Sequence, residues 1–254
     1  MLKDERLEKI ECLVNERKYV AISDLMLELS ISKATVRRDL ELLSEGGKLA
    51  ITRGGAVSVS GGTTYELPYL EKKKVNHEEK IRIAHFAAAL VKPGETILID
   101  AGTTCIEMVP FLRERGNIMV ATNDLMIALE LGRCPNIETI LIGGVLRKDF
   151  NTTSGYYAAK MVDEFHVDKA FISLDAIDLE GGCMITNMDE VAVKREIIAS
   201  ADEVIALCDH TKFGTKSFVG VCPMNKIDQI ITGKELPERI QEKFKEAGKL
   251  LELI

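Results

Sequence analysis

The sequence has no tryptophan, no Cys-x-x-Cys pair and no uninterrupted apolar run long enough to cross a bilayer, which takes about 18 residues or more. The six cysteines (Cys12, Cys105, Cys134, Cys183, Cys208, Cys222) are scattered, and several lie inside apolar runs, as Cys208 does in VIALCD. They read as reduced core residues rather than a disulfide framework. The four histidines (His77, His85, His166, His210) have no metal-ligand spacing with one another or with cysteine, so no metal site is expected. No G-x-G-x-x-G follows an apolar strand and there is no Walker A motif, which argues against a dinucleotide-dependent dehydrogenase or a P-loop enzyme. The N-terminal MLKDERLEKI is charged and lacks the apolar stretch of a secretory signal, so the expectation is a cytoplasmic chain with no membrane partner.

What is present is ordinary globular material. At 254 residues and 46% hydrophobic, the chain is long enough for one large domain or two smaller ones. Its net charge of −7 is unevenly placed: residues 1–57 hold ten basic and ten acidic side chains, and the other 23 basic and 30 acidic ones supply the whole excess. Global charge therefore does not decide whether the chain meets nucleic acid; a local face does.

Such a face lies in residues 22–57. A short amphipathic helix over 24–29, led by Ser23 as N-cap, is followed by the break Ser30-Ile31-Ser32 and a second helix from Lys33 to about Ser44, capped by Ser32. Val36, Leu40 and Leu43 recur at i, i+4 and i+7 as the buried stripe of that helix, while Lys33, Thr35, Arg37 and Arg38 occupy the opposite face. A turn at Gly46-Gly47, the run KLAITR and Gly54-Gly55 predict a small hairpin with a basic tip. Two helices joined by a short turn, the second basic at its start, form a helix-turn-helix. Its second helix fits the major groove, where arginine holds a guanine edge or a phosphate with two donors. The DNA-contacting set is Ser32, Lys33, Ala34, Thr35, Arg37 and Arg38 on that helix and Arg53 in the wing. A helix over residues 3–17, with Leu7, Ile10 and Val14 on one face, completes a three-helix core.

TVRRDLELL followed by RGGAV resembles the DNA-binding segment of the DeoR-type transcriptional regulators. In the wing Thr52-Arg53 precedes the two glycines, where that family often has Arg, one further residue and His.

Residues 58–75 read as a linker, rich in Ser and Gly at first and then polar. From 76 to 254 near-continuous apolar strands alternate with helices, which predicts one mainly parallel, Rossmann-like α/β sheet covered on both faces. A helix over residues 77–91 presents Ile81, Ala84, Ala88 and Val91. Ligands in such sheets bind beyond the strands' C-terminal ends, and polar residues gather there: Asp100, Gly102, Thr103 and Thr104 at a turn opening a helix, Thr122 and Asn123, Gly143 and Gly144, Asp175 and Asp178, Glu190 and Lys194, Asp209 and Lys212. Taken singly, each has a structural explanation, such as a helix cap, a plain turn or an exposed i, i+4 pair. Together they outline a pocket for a small anionic, polyhydroxylated ligand, with phosphate on the threonine-lined helix start and a lysine, and with carboxylates and Asn123 on hydroxyls.

The runs IDAGTT, ATND, IGG, E-x-x-x-K in DEVAVKRE, and DHTKFG resemble the effector domain of the same family, with Thr211 where the family most often has Ser. That domain is similar to ribose-5-phosphate isomerases. The resemblance implies a phosphorylated sugar or sugar derivative as effector and no cofactor, and LDAID retains both carboxylates of the isomerases' Asp pair. The expected arrangement is thus an N-terminal winged helix-turn-helix (1–57), a linker (58–75) and a sugar-phosphate-isomerase-like α/β effector domain (76–254). Its expected function is a repressor of a carbohydrate-metabolism operon, acting on double-stranded operator DNA as a dimer or tetramer. The alternative is an isomerase-like enzyme with a DNA-binding appendage, using Asp175, Asp178 or Glu190 as base.

Overall fold

Apolar spacing assembles the N-terminal unit. Ile10, Leu13 and Val14 of α1 (Lys3–Arg17), Leu25 and Leu29 of α2 (Ile22–Leu29) and Val36, Leu40 and Leu43 of α3 (Lys33–Glu45) converge on one core. In this computed structural model, which describes residues 2–17, 19–45, 48–52, 54–58, 63 and 66–254, the chain separates into two units, residues 1–76 and 77–254. Ser32 Oγ accepts the N–H of Thr35 at 3.2 Å and caps α3. Ser23 does not cap α2, which begins one residue earlier at Ile22, behind Ala21. The turn between the helices passes through Ser30 at φ 53°, whose N–H returns to Met26 O.

The wing is the antiparallel pair β2 (Leu49–Thr52) and β3 (Gly55–Ser58), and a strand not anticipated from sequence, β1 (Tyr19–Ala21), adds to β3. Gly55 is required there, because a Cβ would stand 2.1 Å from Val20 O. The expected turn at Gly46-Gly47, the wing-tip Arg53 and most of the Ser/Gly linker lie outside the described residues. The linker's polar end carries a short helix, α4 (Tyr69–Lys74).

The second unit runs α5 (His77–Ala89), β4 (Thr96–Ile99), α6 (Val109–Leu112), β5 (Ile118–Thr122), α7 (Leu125–Leu131), β6 (Ile137–Leu141), β7 (Val145–Arg147), β8 (Thr152–Ser154), α8 (Tyr156–Asp163), β9 (Val167–Ser173), β10 (Ala176–Asp178), β11 (Gly182–Ile185), α9 (Val191–Ala199), β12 (Ala201–Leu207), β13 (Val219–Cys222), β14 (Gln229–Thr232), α10 (Glu238–Glu246) and β15 (Leu250–Leu253). Seven strands form a parallel sheet in the order β15-β14-β12-β9-β4-β5-β6. Alternate residues feed opposite faces: Ala170, Ile172, Val204 and Ala206 pack with residues of α8, α9 and α10, whereas Phe171, Ile205 and Leu207 pack with α5, α6 and α7. This double coverage explains why the strands read as continuous apolar runs.

Three expectations are corrected. The buried face of α5 is Ile83, Ala84, Ala87 and Ala88, joined by Glu79 and Lys80, while Ile81 is partly exposed. The turn after β4 opens a 3-10 segment, Cys105–Met108, and then the four-residue α6, not a regular helix. Two small antiparallel sheets, β7-β8 and β10-β11-β13, were not read from the sequence. Leu40, 1% exposed, sits centrally in the N-terminal core. Leu40→Ala should cost roughly 2–5 kcal/mol, read by denaturant titration of the full chain as early loss of the N-terminal unit; an effect below about 1 kcal/mol would contradict the packing described.

Candidate nucleic-acid interface and effector site

The second helix of the pair is held by a charge placed inside the fold. Asp39 is 1% exposed and receives Arg6 of α1, Nε at 2.5 Å and Nη2 at 3.1 Å. Arg17 grips Glu28 through two hydrogen bonds of 2.8 and 2.9 Å, joining α1 to α2. With Asp39 turned inward, Lys33, Arg37 and Arg38 are exposed and have no acidic partner among the described residues. Ser32 and Ala34 are exposed beside them, and Thr35 is half-buried with its hydroxyl 2.9 Å from Ser32 Oγ. An unneutralised cationic helix start of this kind suits a DNA groove.

In the second unit the chain leaves β4 outward through β5 and β6, then returns to place β9 on the other side of β4. The crevice between β4 and β9 is the sheet's topological switch point, where ligands bind in open α/β sheets. Asp100 and Lys194, each 3% exposed at the side chain, form an ion pair there. Asp100 Oδ2 also accepts Ser173 N at 3.0 Å, and Lys194 Nζ donates to Ser173 O at 2.8 Å. Burial alone would lower the Lys194 pKa, but Asp100 and Glu190 outweigh it and hold the ammonium above its ordinary value. Gly102 packs so tightly over this junction that a Cβ would lie 2.4 Å from Ser173 Cβ.

Around the junction the predicted residues divide by what they do. Thr103 is buried and its hydroxyl accepts from Lys80 Nζ at 3.0 Å. Thr104 is buried, and neither its hydroxyl nor the N–H groups of Thr103 and Thr104 have a partner among the described residues. Lys212 is half-buried with no acidic partner among them. Asp175 Oδ2 accepts Thr186 N at 2.9 Å.

Other predicted residues are occupied internally. Asn123 was expected to meet ligand hydroxyls; instead Oδ1 accepts Ala101 N at 2.9 Å, and Nδ2 donates to Thr152 Oγ1 at 3.1 Å and Thr153 O at 3.4 Å. Thr122 Oγ1 accepts Asp124 N at 3.1 Å. Asp178 caps a hairpin turn, accepting Glu180 N at 3.0 Å and Gly181 N at 2.8 Å. Asp209 is buried and accepts from Thr211 N at 3.1 Å and from the Thr211 hydroxyl. Gly143 is exposed, and Gly144 lies against Ser154, where a Cβ would be 2.6 Å from the carbonyl oxygen. Glu190 and Lys194 do not pair one turn apart: Glu190 lies in a 3-10 turn and takes Arg147 at 2.5 Å, leaving Lys194 to Asp100.

Sequence reasoning missed Glu79, Lys80, Asp124 and Arg147. Glu79 is 1% exposed and accepts His210 N at 2.8 Å, Gly233 N at 3.2 Å and His210 Nδ1 at 2.7 Å, and this last, side-chain bond raises the His210 pKa. Together with Lys80 on Thr103, the first turn of α5 therefore holds the loops after β4, β12 and β14. A signal existed, because Lys80 is spaced at helical intervals from Ala84 and Ala87 and so belongs to the buried face. Asp124 caps α7, accepting Met126 N at 2.8 Å and Ile127 N at 3.1 Å. Burial pushes its carboxyl up from 3.8 to about 6, partly offset by those N–H groups.

Compared with known proteins, residues 6–61 match the DeoR-like helix-turn-helix domain and residues 75–234 the DeoR C terminal sensor domain. The chain is 34% identical to the uncharacterized HTH-type transcriptional regulator YulB of Bacillus subtilis, covering 93% of this chain and 91% of that one. It is 32% identical to the HTH-type transcriptional regulator GolR of Listeria innocua, covering 96% of each, and 32% identical to the transcriptional repressor AccR of Agrobacterium fabrum, covering 94% and 96%.

The Asp124 environment fixes a pH dependence. Its carboxyl binds a proton more tightly folded than unfolded, so its contribution to stability is complete below about 3.8 and is lost as pH rises through about 6. Two decades of pKa correspond to about 3 kcal/mol. Asp124→Asn keeps an oxygen to cap α7, so its stability relative to the unsubstituted chain should improve by about that amount between pH 4 and 7. A difference that stays constant with pH in denaturant titrations would show that the carboxyl is not so perturbed.

Proposed function

We propose that this chain, which belongs to the DeoR family of helix-turn-helix transcriptional regulators, represses a carbohydrate-metabolism operon and releases its operator when a phosphorylated sugar or sugar derivative binds its sensor domain. The observation that carries the reading is the chemistry at the switch point. The unpartnered N–H groups of Thr103 and Thr104, the Thr104 hydroxyl, and the ammonium groups of Lys80 and Lys212 offer donors to a phosphate, and the Asp175 carboxylate offers an acceptor to sugar hydroxyls. Asp100 and Lys194 frame that site instead of contacting the ligand, because each already holds the other.

The chain is a transcription regulator rather than an enzyme, as its relatives are. The internal use of Asp178 in a hairpin turn also speaks against an isomerase base at that position. No helix among the described residues is long and apolar enough to cross a membrane. Because one helix-turn-helix buries little DNA surface, two copies acting on paired half-sites are part of the proposal, with dimer or tetramer as the working form.

Two measurements test this. Thermal-shift screening against phosphorylated sugars should find a ligand that, at about 100 times its dissociation constant, adds about 2.7 kcal/mol to stability. Thr104→Ala should abolish the shift; a shift surviving intact would move the phosphate elsewhere. On operator fragments, Arg37→Ala and Arg38→Ala should each weaken binding, and the one that reads a base should cost about 1–3 kcal/mol and relax sequence preference. Unchanged binding by both variants would remove α3 from the interface.

A further inference from the structure

Cys183 and Cys222 lie 39 positions apart in a chain without a Cys-x-x-Cys pair, yet they are partners across the antiparallel β11-β13 ladder, beside the point where its register shifts between Cys183 and Met184. Residues opposite one another in such a ladder stand about 4.5–5.5 Å apart at Cα, inside the window of about 4.4–6.8 Å that a disulfide needs. Both are free thiols, Cys183 buried and Cys222 partly exposed. We propose that Cys183 and Cys222 are a reversible dithiol–disulfide pair, with Cys222 as the thiol that meets a peroxide and Cys183 as the one that resolves it.

The surroundings assign the two roles. Arg195 extends along β13, donating Nε to Val221 O and Nη2 to Gly220 O, both at 2.9 Å, so its guanidinium lies beside Cys222. The neighbouring Cys183 holds the Cys222 thiol below its ordinary pKa against the effect of burial, and Lys194, Arg195 and Lys226 add to it. Cys183 is shifted the other way, by its neighbour Cys222 and by burial, and its S–H donates to Met224 Sδ at 3.9 Å. A partly exposed thiol of lowered pKa near cations, beside a buried thiol of raised pKa, is the arrangement that favours attack by the first and resolution by the second. Cys105 and Cys208 are buried with pKa values raised by burial, which removes them from competition.

The chemistry balances with a hydroperoxide as oxidant. The Cys222 thiolate attacks the peroxide, breaking the O–O bond; with one proton taken up, hydrogen peroxide gives a sulfenic acid and water. The Cys183 thiol then attacks the sulfenic sulfur, forming the S–S bond and releasing a second water, so two thiols are oxidised by two electrons. The crosslink ties β11 to β13 beside the candidate effector site, since Met184 O accepts Asp175 N at 3.1 Å and Thr186 N donates to Asp175.

The full-length chain, treated with a small excess of hydrogen peroxide and alkylated, should lose two of its six thiols. Non-reducing peptide mapping should find Cys183 joined to Cys222, and dithiothreitol should restore both. In Cys183→Ala the sulfenic acid on Cys222 should persist and be trapped by dimedone at least tenfold above the unsubstituted chain. In Cys222→Ala, Cys183 should stay reduced. Mapping of the unsubstituted chain needs no variant to fold, and it overturns the proposal if Cys12 or Cys134 oxidises first while Cys183 and Cys222 remain thiols. Oxidation of Cys222 to sulfinic acid without a crosslink overturns it equally.

Discussion

The buried Asp100–Lys194 pair is the constraint around which the sensor domain is arranged. Taking a carboxylate and an ammonium out of water costs several kcal/mol each, and mutual attraction offsets this only if their remaining hydrogen-bonding capacity is met. Here Ser173 meets it, giving its N–H to the carboxylate and its carbonyl oxygen to the ammonium. One residue of β9 thereby joins the end of β4 to α9, and Gly102 closes over the junction because no side chain fits against Ser173. A pair of this kind contributes little net stability, yet losing one member would strand the other in a dry site. Its value lies in geometry: it fixes how far the switch-point crevice opens and where the turn at 101–104 stands.

The same reasoning explains why so many charges are buried at one edge of an otherwise apolar sheet. Glu79, Lys80, Asp124 and Asp209 are all buried at or beside the ends of the strands, and each is hydrogen-bonded to a loop or, for Asp124, to the start of α7. Loops carry unsatisfied backbone donors, and a buried carboxylate can gather several, as Glu79 does from His210 and Gly233. Such carboxylates hold the loops in place from inside. Among the described residues the groups left with spare donors are then few, Thr103, Thr104 and Lys212, and this economy is what supports the proposed anionic ligand within a domain whose net charge is negative.

The positions of Asp100, Thr103, Thr104, Asp209 and Lys212 beyond the strand ends were legible in the sequence; their partners were not. Apolar runs such as TILI and VIAL end abruptly in polar residues because a parallel strand buried on both faces tolerates none until it leaves the sheet. The reading helix was legible for a related reason, since Val36, Leu40 and Leu43 leave only one face for Arg37 and Arg38. Local spacing suggested pairing Glu190 with Lys194, but a 3-10 turn rotates Glu190 toward Arg147 and long-range topology gives Lys194 to Asp100. Asp178 looked like one of a catalytic pair and proved to be a turn cap, a role that depends on β10-β11, a hairpin too short to leave a periodic signal. Glu79 and Lys80 were not singled out from the sequence. Only the tertiary fold, which covers that first turn with three loops, makes their burial possible.

On the proposed reading, effector and operator discriminate the same two states of the chain, and a coupling of this kind is typically about 1–3 kcal/mol. That is small against the interactions at the strand ends: the net contribution of one or two hydrogen bonds, especially charge-assisted ones, covers it. The proposed phosphate, accepting from Thr103 and Thr104, would compete for the Lys80 ammonium that rests on the Thr103 hydroxyl. Lys80 and Glu79 are adjacent in the first turn of α5, so a shift of either is felt by the residue beside it and by the loops after β12 and β14 that Glu79 holds. This turn is also where the chain enters the sensor domain from residues 69–76. On the proposed reading, a ligand that rearranged one buried lysine contact would act on the first turn of α5, and no large motion within the sheet would be needed to supply the required free energy.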